Sequence, residues 1–250
     1  LVQNHDTITL NVHDNNFCAV NPNFIAVVTE CAGGGAFLVI PIKQTGKLDP
    51  HYLKVCGHKG NVLDIKWNPF NDFVIASCSE DATVKIWDIP NHLLKRNITT
   101  PKKELLGHTR RVGLIEWHPT AENILFSSGY DYKIIIWNLE VKDAILRKPV
   151  KILDAHKDVV LSMSFNTDGS LLATACRDRK IRVIDPRAGT VLQKGNSYWL
   201  LKCYITIIGQ WGSPPPDFLL QGKHGNRQTA PAGCFLSLRI VLNPPMKFPG

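Results

Sequence analysis

The sequence predicts an all-β protein assembled from repeated four-stranded units, and three observations lead there. The chain of 250 residues repeats itself at an offset of 50 residues, its apolar residues fall in runs of about five or six separated by turn chemistry, and Gly, Pro and aromatic strand formers recur along it. An apolar content of 44% supports one sizeable core or two small ones.

The repeat is clearest when Gly57-His58 is set over Gly107-His108. Val62 then falls on Val112, Trp67 on Trp117, Pro69 on Pro119, Asp81 on Asp131 and Trp87 on Trp137. A third copy starts at Ala155-His156 and runs through Val160, Phe165, Asp178 and Ile184-Asp185, with one residue deleted near Thr167-Asp168-Gly169. A fourth, degenerate copy lies upstream, where Asn21-Pro22 matches Asn68-Pro69 and Ile40 stands at the place of Trp87. Within the first full copy the strands read as Val62–Trp67, Phe73–Cys78, Thr83–Trp87 and Lys103–Leu106. Four short strands per copy make a propeller blade, and the Gly-His openings with Trp87-Asp88 and Trp137-Asn138 endings are the WD40 signature. The expected organisation is a partial WD40 β-propeller over residues 1–193, with a degenerate blade at about 12–55 and repeats at about 57–106, 107–154 and 155–193.

The polar residues at fixed offsets have a structural task in this scheme. An Asp in the turn between the second and third strands can accept from the His at the blade entrance, that His can bond a hydroxyl on the second strand, and the hydroxyl can reach the Trp indole. The sets are His58, Ser77, Asp81 and Trp87; His108, Ser127, Asp131 and Trp137; and His156, Thr174 and Asp178, with Ile184 in the place of Trp. A buried polar group left without such a partner costs about 1–3 kcal/mol. Asp, His and Ser also compose nucleophilic triads. A catalytic set occurs once, whereas this one recurs at matching offsets and has no Gly-x-Ser-x-Gly elbow, so the sequence reads as scaffolding and not as an enzyme.

The formal charge of +8 favours acidic partners without choosing among them. Candidate partner-binding cations are Lys102, Lys103, Arg110, Arg111, Arg177, Arg179 and Lys180, with Arg110-Arg111 and Arg177-Asp178-Arg179 placed in inter-strand turns at a propeller rim. Lys95, Arg96, Arg147, Lys148, Lys151 and Arg182 complete the basic clusters. Nucleic acid is not expected, because the aromatics fall at core strand positions and not between the cations. Gly33-Gly34-Gly35 lacks the Lys-Ser or Lys-Thr of a phosphate loop and reads as a tight turn between strands. His5, His13, His51, His92, His118 and His224 show no paired ligand spacing, so no metal and no cofactor is assigned. Cys18, Cys31, Cys56, Cys78, Cys176, Cys203 and Cys234 are scattered without a CxxC and read as buried thiols of a reducing cytosol. The apolar stretch from Tyr198 to Trp211 is broken by Lys202, Gly209 and Gln210 and falls short of the roughly 20 residues of a membrane span.

Several runs resemble the coronin family: Phe17-Cys18-Ala19-Val20-Asn21-Pro22, Gly33 to Pro41, Arg110-Arg111-Val112-Gly113 leading to Trp117-His118-Pro119, and Ile184-Asp185-Pro186-Arg187-Ala188-Gly189-Thr190. Val55-Cys56-Gly57-His58 and Gly129-Tyr130-Asp131-Tyr132-Lys133 are most similar to the class II branch, its A-type more than its B-type. The resemblance covers about Val12 to Gln193. It implies a propeller of which this chain holds about four of an expected seven blades, a cytoplasmic location on the actin cytoskeleton, and binding to filamentous actin. It also implies a C-terminal extension and an oligomerising coiled coil, which the sequence does not show. Thr7 to Leu10 carries no arginine where coronins often place basic residues implicated in actin contact. The alternative is a WD40 scaffold in a nuclear or signalling complex without actin.

From about Lys194 to Gly250 the repeat markers cease and Pro214-Pro215-Pro216 and Pro244-Pro245 break an irregular apolar mix. The chain also begins at Leu1 without an initiator Met. These features read as a fragment or incomplete gene model with an alternative or unspliced terminus. An open array of about four blades is expected to expose apolar flanks and a strand edge, with poor solubility or chaperone dependence.

Overall fold

A computed structural model describes residues 17–31, 34–46, 48–49, 52–91 and 96–196, together with the strand backbones at 205–207 and 238–240. His5, Thr7 to Leu10, His13, Gly33, His51, His92, Lys95 and most of the segment after 196 lie outside the described residues.

Among the described residues sixteen strands form four antiparallel four-stranded sheets side by side, and a seventeenth adds to one of them in parallel. The first contains β1 (Cys18–Val20), β2 (Phe24–Cys31), β3 (Gly34–Pro41) and β4 (Lys54–Cys56) in that order. The second contains β5 (Val62–Asn68), β6 (Asn71–Ser79), β7 (Thr83–Asp88) and β8 (Lys103–Leu106). The third contains β9 (Val112–Trp117), β10 (Ile124–Gly129), β11 (Ile134–Asn138) and β13 (Lys151–Leu153), while β12 (Ile145–Leu146) leaves it to pair in parallel with β8. The fourth contains β14 (Val160–Phe165), β15 (Leu172–Cys176), β16 (Lys180–Asp185) and β17 (Thr190–Asn196). A short pair, β18 (Ile205–Ile207) with β19 (Leu238–Ile240), follows, and the β18 backbone lies against β14 and β15.

The sheets are held by the apolar residues that alternate along each strand. Leu63, Ala76, Val84 and Ile86 of the second sheet pack against Val112, Ile115, Leu125 and Trp137 of the third. Phe37, Val39 and Val55 of the first meet Ile65, Ile75 and Trp87, and Phe126, Ile134 and Ile136 meet Met163, Phe165 and Leu172 of the fourth.

Polar contacts repeat the same joints. The indole N–H of Trp67 donates to Ala19 O and that of Trp117 to Lys66 O, each at 3.1 Å, tying a first strand to the preceding sheet. Phe165 occupies this place in the fourth sheet, and its ring meets Phe126 edge-on instead. Asn21 Nδ2 donates to Asp72 O, and His118 Nε2 to Gly169 O, so the turn after a first strand also clips the next sheet.

Gly34 and Gly35 lie in strand β3 and face the entrance loop of the second sheet. A Cβ on Gly34 would stand 1.9 Å from His58 O and one on Gly35 2.4 Å from Val62 N. The tight strand-to-strand connection expected there is present, since Cys31 of β2 pairs with Gly34 of β3 across two residues, and Gly34 and Gly35 are Gly in addition because two backbones meet there. Of the cysteines described, Cys78 and Cys176 are buried, whereas Cys18 is exposed.

Candidate functional site: repeated polar bolts and a basic rim

The first strand of each sheet begins, and the second-to-third turn lies, at the same end of the sheet, because successive strands are antiparallel. The two are joined by one backbone bond in each full copy: Glu80 N–H to Asn61 O, Tyr130 N–H to Arg111 O and Arg177 N–H to Val159 O. The residue after the turn Asp takes a left-handed backbone each time, at Ala82, Tyr132 and Arg179, with φ of 64°, 69° and 62°. That conformation lets the Asp carboxylate face back toward the entrance loop.

In the second sheet Asp81 Oδ2 stands 3.0 Å from His58 Nδ1, His58 Nε2 lies 2.8 Å from Ser77 Oγ, and the Trp87 indole N–H donates to Ser77 Oγ at 2.8 Å. A carboxylate only accepts, so Nδ1 carries the proton, Nε2 accepts from the hydroxyl, and the hydroxyl oxygen accepts from the indole. Asp81 also accepts from the Lys59 N–H and the Thr83 hydroxyl. Burial works to raise the Asp81 pKa, but the bonds from His58, Thr83 and Lys59 outweigh it and hold the carboxyl far below its usual range. Burial pushes His58 down against the upward pull of Asp81.

The third sheet repeats this bolt through His108 with Asp131 at 3.0 Å, His108 with Ser127 at 2.8 Å and Trp137 to Ser127 at 2.9 Å. Ser77, Ser127 and Thr174 are fully buried, so the hydroxyl of each set is closed to a substrate. Gly57 and Gly107 complete the bolts: an added Cβ would come 2.9 Å and 2.7 Å from the ring edges of Trp87 and Trp137. The third copy, with the smaller Ile184 in place of Trp, carries Ala155 there.

The fourth sheet departs from the expected set of His156, Thr174 and Asp178. His156 Nε2 bonds Thr174 Oγ1 at 2.9 Å, but Asp178 does not accept from His156. Asp178 binds the guanidinium of Arg182, four residues on, with Nη1 to Oδ1 at 3.2 Å. Residue 182 stands where the earlier copies have Lys85 and Ile135, and a bidentate fork outcompetes an imidazole for the carboxylate. His156 Nδ1 is left buried without a partner. Burial and then Arg182 press the His156 pKa down to about 4, whereas the Arg182 bonds overcome burial to bring Asp178 to about 2.

The basic candidates divide between two ends. Arg110, Arg177 and Arg179 are exposed, and Lys180 is half-buried, at the end that carries the bolts. Arg111 is pinned there, with its guanidinium 3.9 Å over the Tyr130 ring and 3.9 Å from Glu80 of the second sheet. Lys102 and Lys103 belong to the opposite end, where each has a partner within the protein, Lys102 while its side chain stays 51% exposed. Lys102 pairs with Asp88 at 3.0 Å, and the Lys103 ammonium donates to the carbonyls of Val141 and Asp143. The adjacency of these two to the other cations in the sequence does not survive folding.

Sequence reasoning missed Asp64 altogether. Its carboxylate is fully buried and accepts from the Ile65 N–H and, across the sheet boundary, from the Ile115 N–H, both at 3.0 Å. Burial pushes its pKa to about 7 against the opposing effect of Lys66 and the two backbone donors. No spacing marks this residue, because Leu114 and Ser162 hold its place in the other copies.

Radially stacked four-stranded sheets bolted through His, hydroxyl, Asp and Trp define a WD40 β-propeller protein. The family model for the WD domain, G-beta repeat, matches residues 50–88, 99–138 and 147–185, and a domain of unknown function (DUF1899) matches residues 4–47. Each matched repeat begins with the outer strand of one sheet and ends with the third strand of the next, so the sequence unit straddles two blades. The chain is 75% identical to coronin-2A of Bos taurus over 189 residues, 76% of this chain and 36% of the relative. Identity to coronin-2A of Homo sapiens is 74%, and to coronin-2B of Mus musculus 66%, over comparable spans. The crystal structure of the WD40 domain of Toxoplasma gondii coronin superposes with a TM-score of 0.68 at 26% identity, covering 77% of this chain and 48% of that one. Over its blades the chain is similar to the coronins, with greater likeness to coronin-2A than to coronin-2B. It spans little more than a third of the length of those curated relatives.

Proposed function

We propose that this chain is a non-catalytic actin-filament-binding module that docks through the bolt-bearing rim. The observation that carries the reading is the exposure of Arg110, Arg177 and Arg179 at one end of neighbouring blades. The loop of Arg110 is tied to Asp131 through His108 and the Thr109 N–H, and the turn of Arg177 and Arg179 is closed by the Asp178–Arg182 pair. The coronin relationship supplies filamentous actin as the partner, and an acidic filament surface complements a cationic rim. Arg111 acts from below, since its contacts with Tyr130 and Glu80 fix the loop from which Arg110 projects.

Co-sedimentation of the full chain with actin filaments over a salt series tests this. Pelleting should weaken as screening shortens the reach of charge to about 8–10 Å near physiological salt. Arg110→Glu with Arg177→Glu should lower it further, whereas Lys102→Glu, at the opposite end, should leave it unchanged. Absence of pelleting at low salt, or equal losses from both ends, would defeat the proposal.

A further inference from the structure

The outer strands of the first two blades treat their free edges alike. On β4, the Lys54 N–H donates outward to Asn97 Oδ1 at 2.9 Å, Ile98 N–H donates to Lys54 O and Cys56 N–H to Ile98 O. Ile98 thereby runs parallel beside Val55. On β8, the Glu104 N–H donates outward to Ala144 O at 2.8 Å and β12 runs parallel, with Ile145 opposite Glu104. In both cases the added segment comes from the connection between the third and fourth strands of the next blade, residues 89–102 and 139–150.

The outer strand of the third blade, β13, stands in the same register as β8. Ile152 faces Ile135 as Glu104 faces Lys85. Val150 N–H reaches Ile136 O as Lys102 N–H reaches Ile86 O, both at 2.8 Å. Lys151 also donates to carbonyls of the next connection, those of Arg187 and Ala188, as Lys103 does to its own. The Ile152 N–H therefore occupies the outward position of the Glu104 N–H. What differs is the supply of a covering strand. The connection from β16 to β17 is a tight turn of residues 186–189, closed by Gly189 N–H to Asp185 O at 2.7 Å. At about 3.3 Å per residue such a turn cannot reach along β13. Among the described residues β13 ends its sheet, and Val150 and Ile152 are 63% and 46% exposed on it.

We propose that the edge of β13 accepts an extended peptide segment of a partner protein, laid parallel to Val150–Leu153, in which apolar residues alternate with carboxylates. The apolar positions follow from Val150 and Ile152, and the carboxylates from the exposed Arg147 and Lys148 leading into the strand and Arg187 beside it. Main-chain bonds give such an added strand its affinity and alternate side chains its selectivity. Asp154, exposed beyond the far end of β13, places the acidic preference toward the Arg147 end.

The test uses the full chain and a fluorescein-labelled, N-acetylated heptapeptide, Glu-Ile-Glu-Val-Glu-Ile-Glu, followed by anisotropy and by amide hydrogen exchange. Saturable binding with slowed exchange confined to residues 150–153 is expected, and exchange at 103–106 and 190–196 should not change. Ile152→Pro removes the outward donor at an edge, where proline is tolerated, and should weaken binding about tenfold. The same heptapeptide with alternate amides N-methylated should bind at least tenfold more weakly to the unaltered chain, which decides the matter if the proline variant melts. Absence of binding, protection mapped elsewhere, or indifference to N-methylation would overturn the proposal.

Discussion

Replacing Ser127 by Ala removes one oxygen and should cost more than its size implies. The hydroxyl is fully buried. It joins the Trp137 indole N–H at 2.9 Å to His108 Nε2 at 2.8 Å. Alanine leaves both without a partner, in a place that water does not reach. Each orphaned group costs about 1–3 kcal/mol, so the loss should be about 2–5 kcal/mol once some relaxation is allowed. Thr174 offers the internal comparison. It holds His156 at 2.9 Å but faces no indole, and its blade already tolerates an unpartnered His156 Nδ1. Thr174→Val, which keeps the methyl, should therefore leave one group unpaired, at a cost of about 1–3 kcal/mol. Urea unfolding monitored by Trp fluorescence, with hydrogen exchange locating the loosened blade, measures both. Equal losses for the two variants, or a Ser127→Ala loss under about 1 kcal/mol, would refute the claim that a shared hydroxyl bolts the blade.

Three further outcomes follow from the same geometry. Gly107→Ala, whose Cβ would meet the Trp137 ring at 2.7 Å, should destabilise by about 1–3 kcal/mol. In a Trp137→Ile background the same change should cost much less, which a double-mutant cycle would show as coupling. Asp64, with a folded pKa of about 7 against an ordinary 3.8, binds its proton more tightly when folded. Its contribution is full below about pH 4 and is lost as pH rises toward 7. The buried His58 and His156 gain stability over the same range and do so in both chains, so the stability difference between the unaltered chain and Asp64→Asn should shrink from pH 5 to pH 7. Asp81 and Asp131 act in the opposite sense, because their folded pKa values are lowered. Stability from them is present above the ordinary carboxyl pKa and disappears as pH falls below it, so acid titration of His58→Gln should be flatter than that of the unaltered chain.

The repeated part of this protein is written in the sequence because repetition makes local rules visible. Gly57 over Gly107, Ser77 over Ser127 and Trp87 over Trp137 stand at one offset, and period-two strands between turns leave few ways to bury their apolar faces. The bolts in the second and third sheets follow from the same offsets, since a buried imidazole, hydroxyl and carboxylate at those positions must find one another. Where the copies diverge, pattern gives less. Arg182 is an ordinary basic residue in the sequence, yet its reach of one turn of chain takes Asp178 from His156.

Sequence by itself determined the strand-rich class, the blade unit, the Asp-His-Ser-Trp sets of two blades and the kinship of the chain. Only the tertiary structure decided which cations share an end, that Lys102 and Lys103 are occupied by Asp88 and by the carbonyls of Val141 and Asp143, and that Asp64 crosses from one blade to the next. It alone distinguished an outer edge covered by β12 from one left open along β13. The physical reason is the range of the interactions. Burial and turn preferences act between residues close in the chain or equivalent in the repeat, whereas these contacts join residues brought together only when one blade closes against the next.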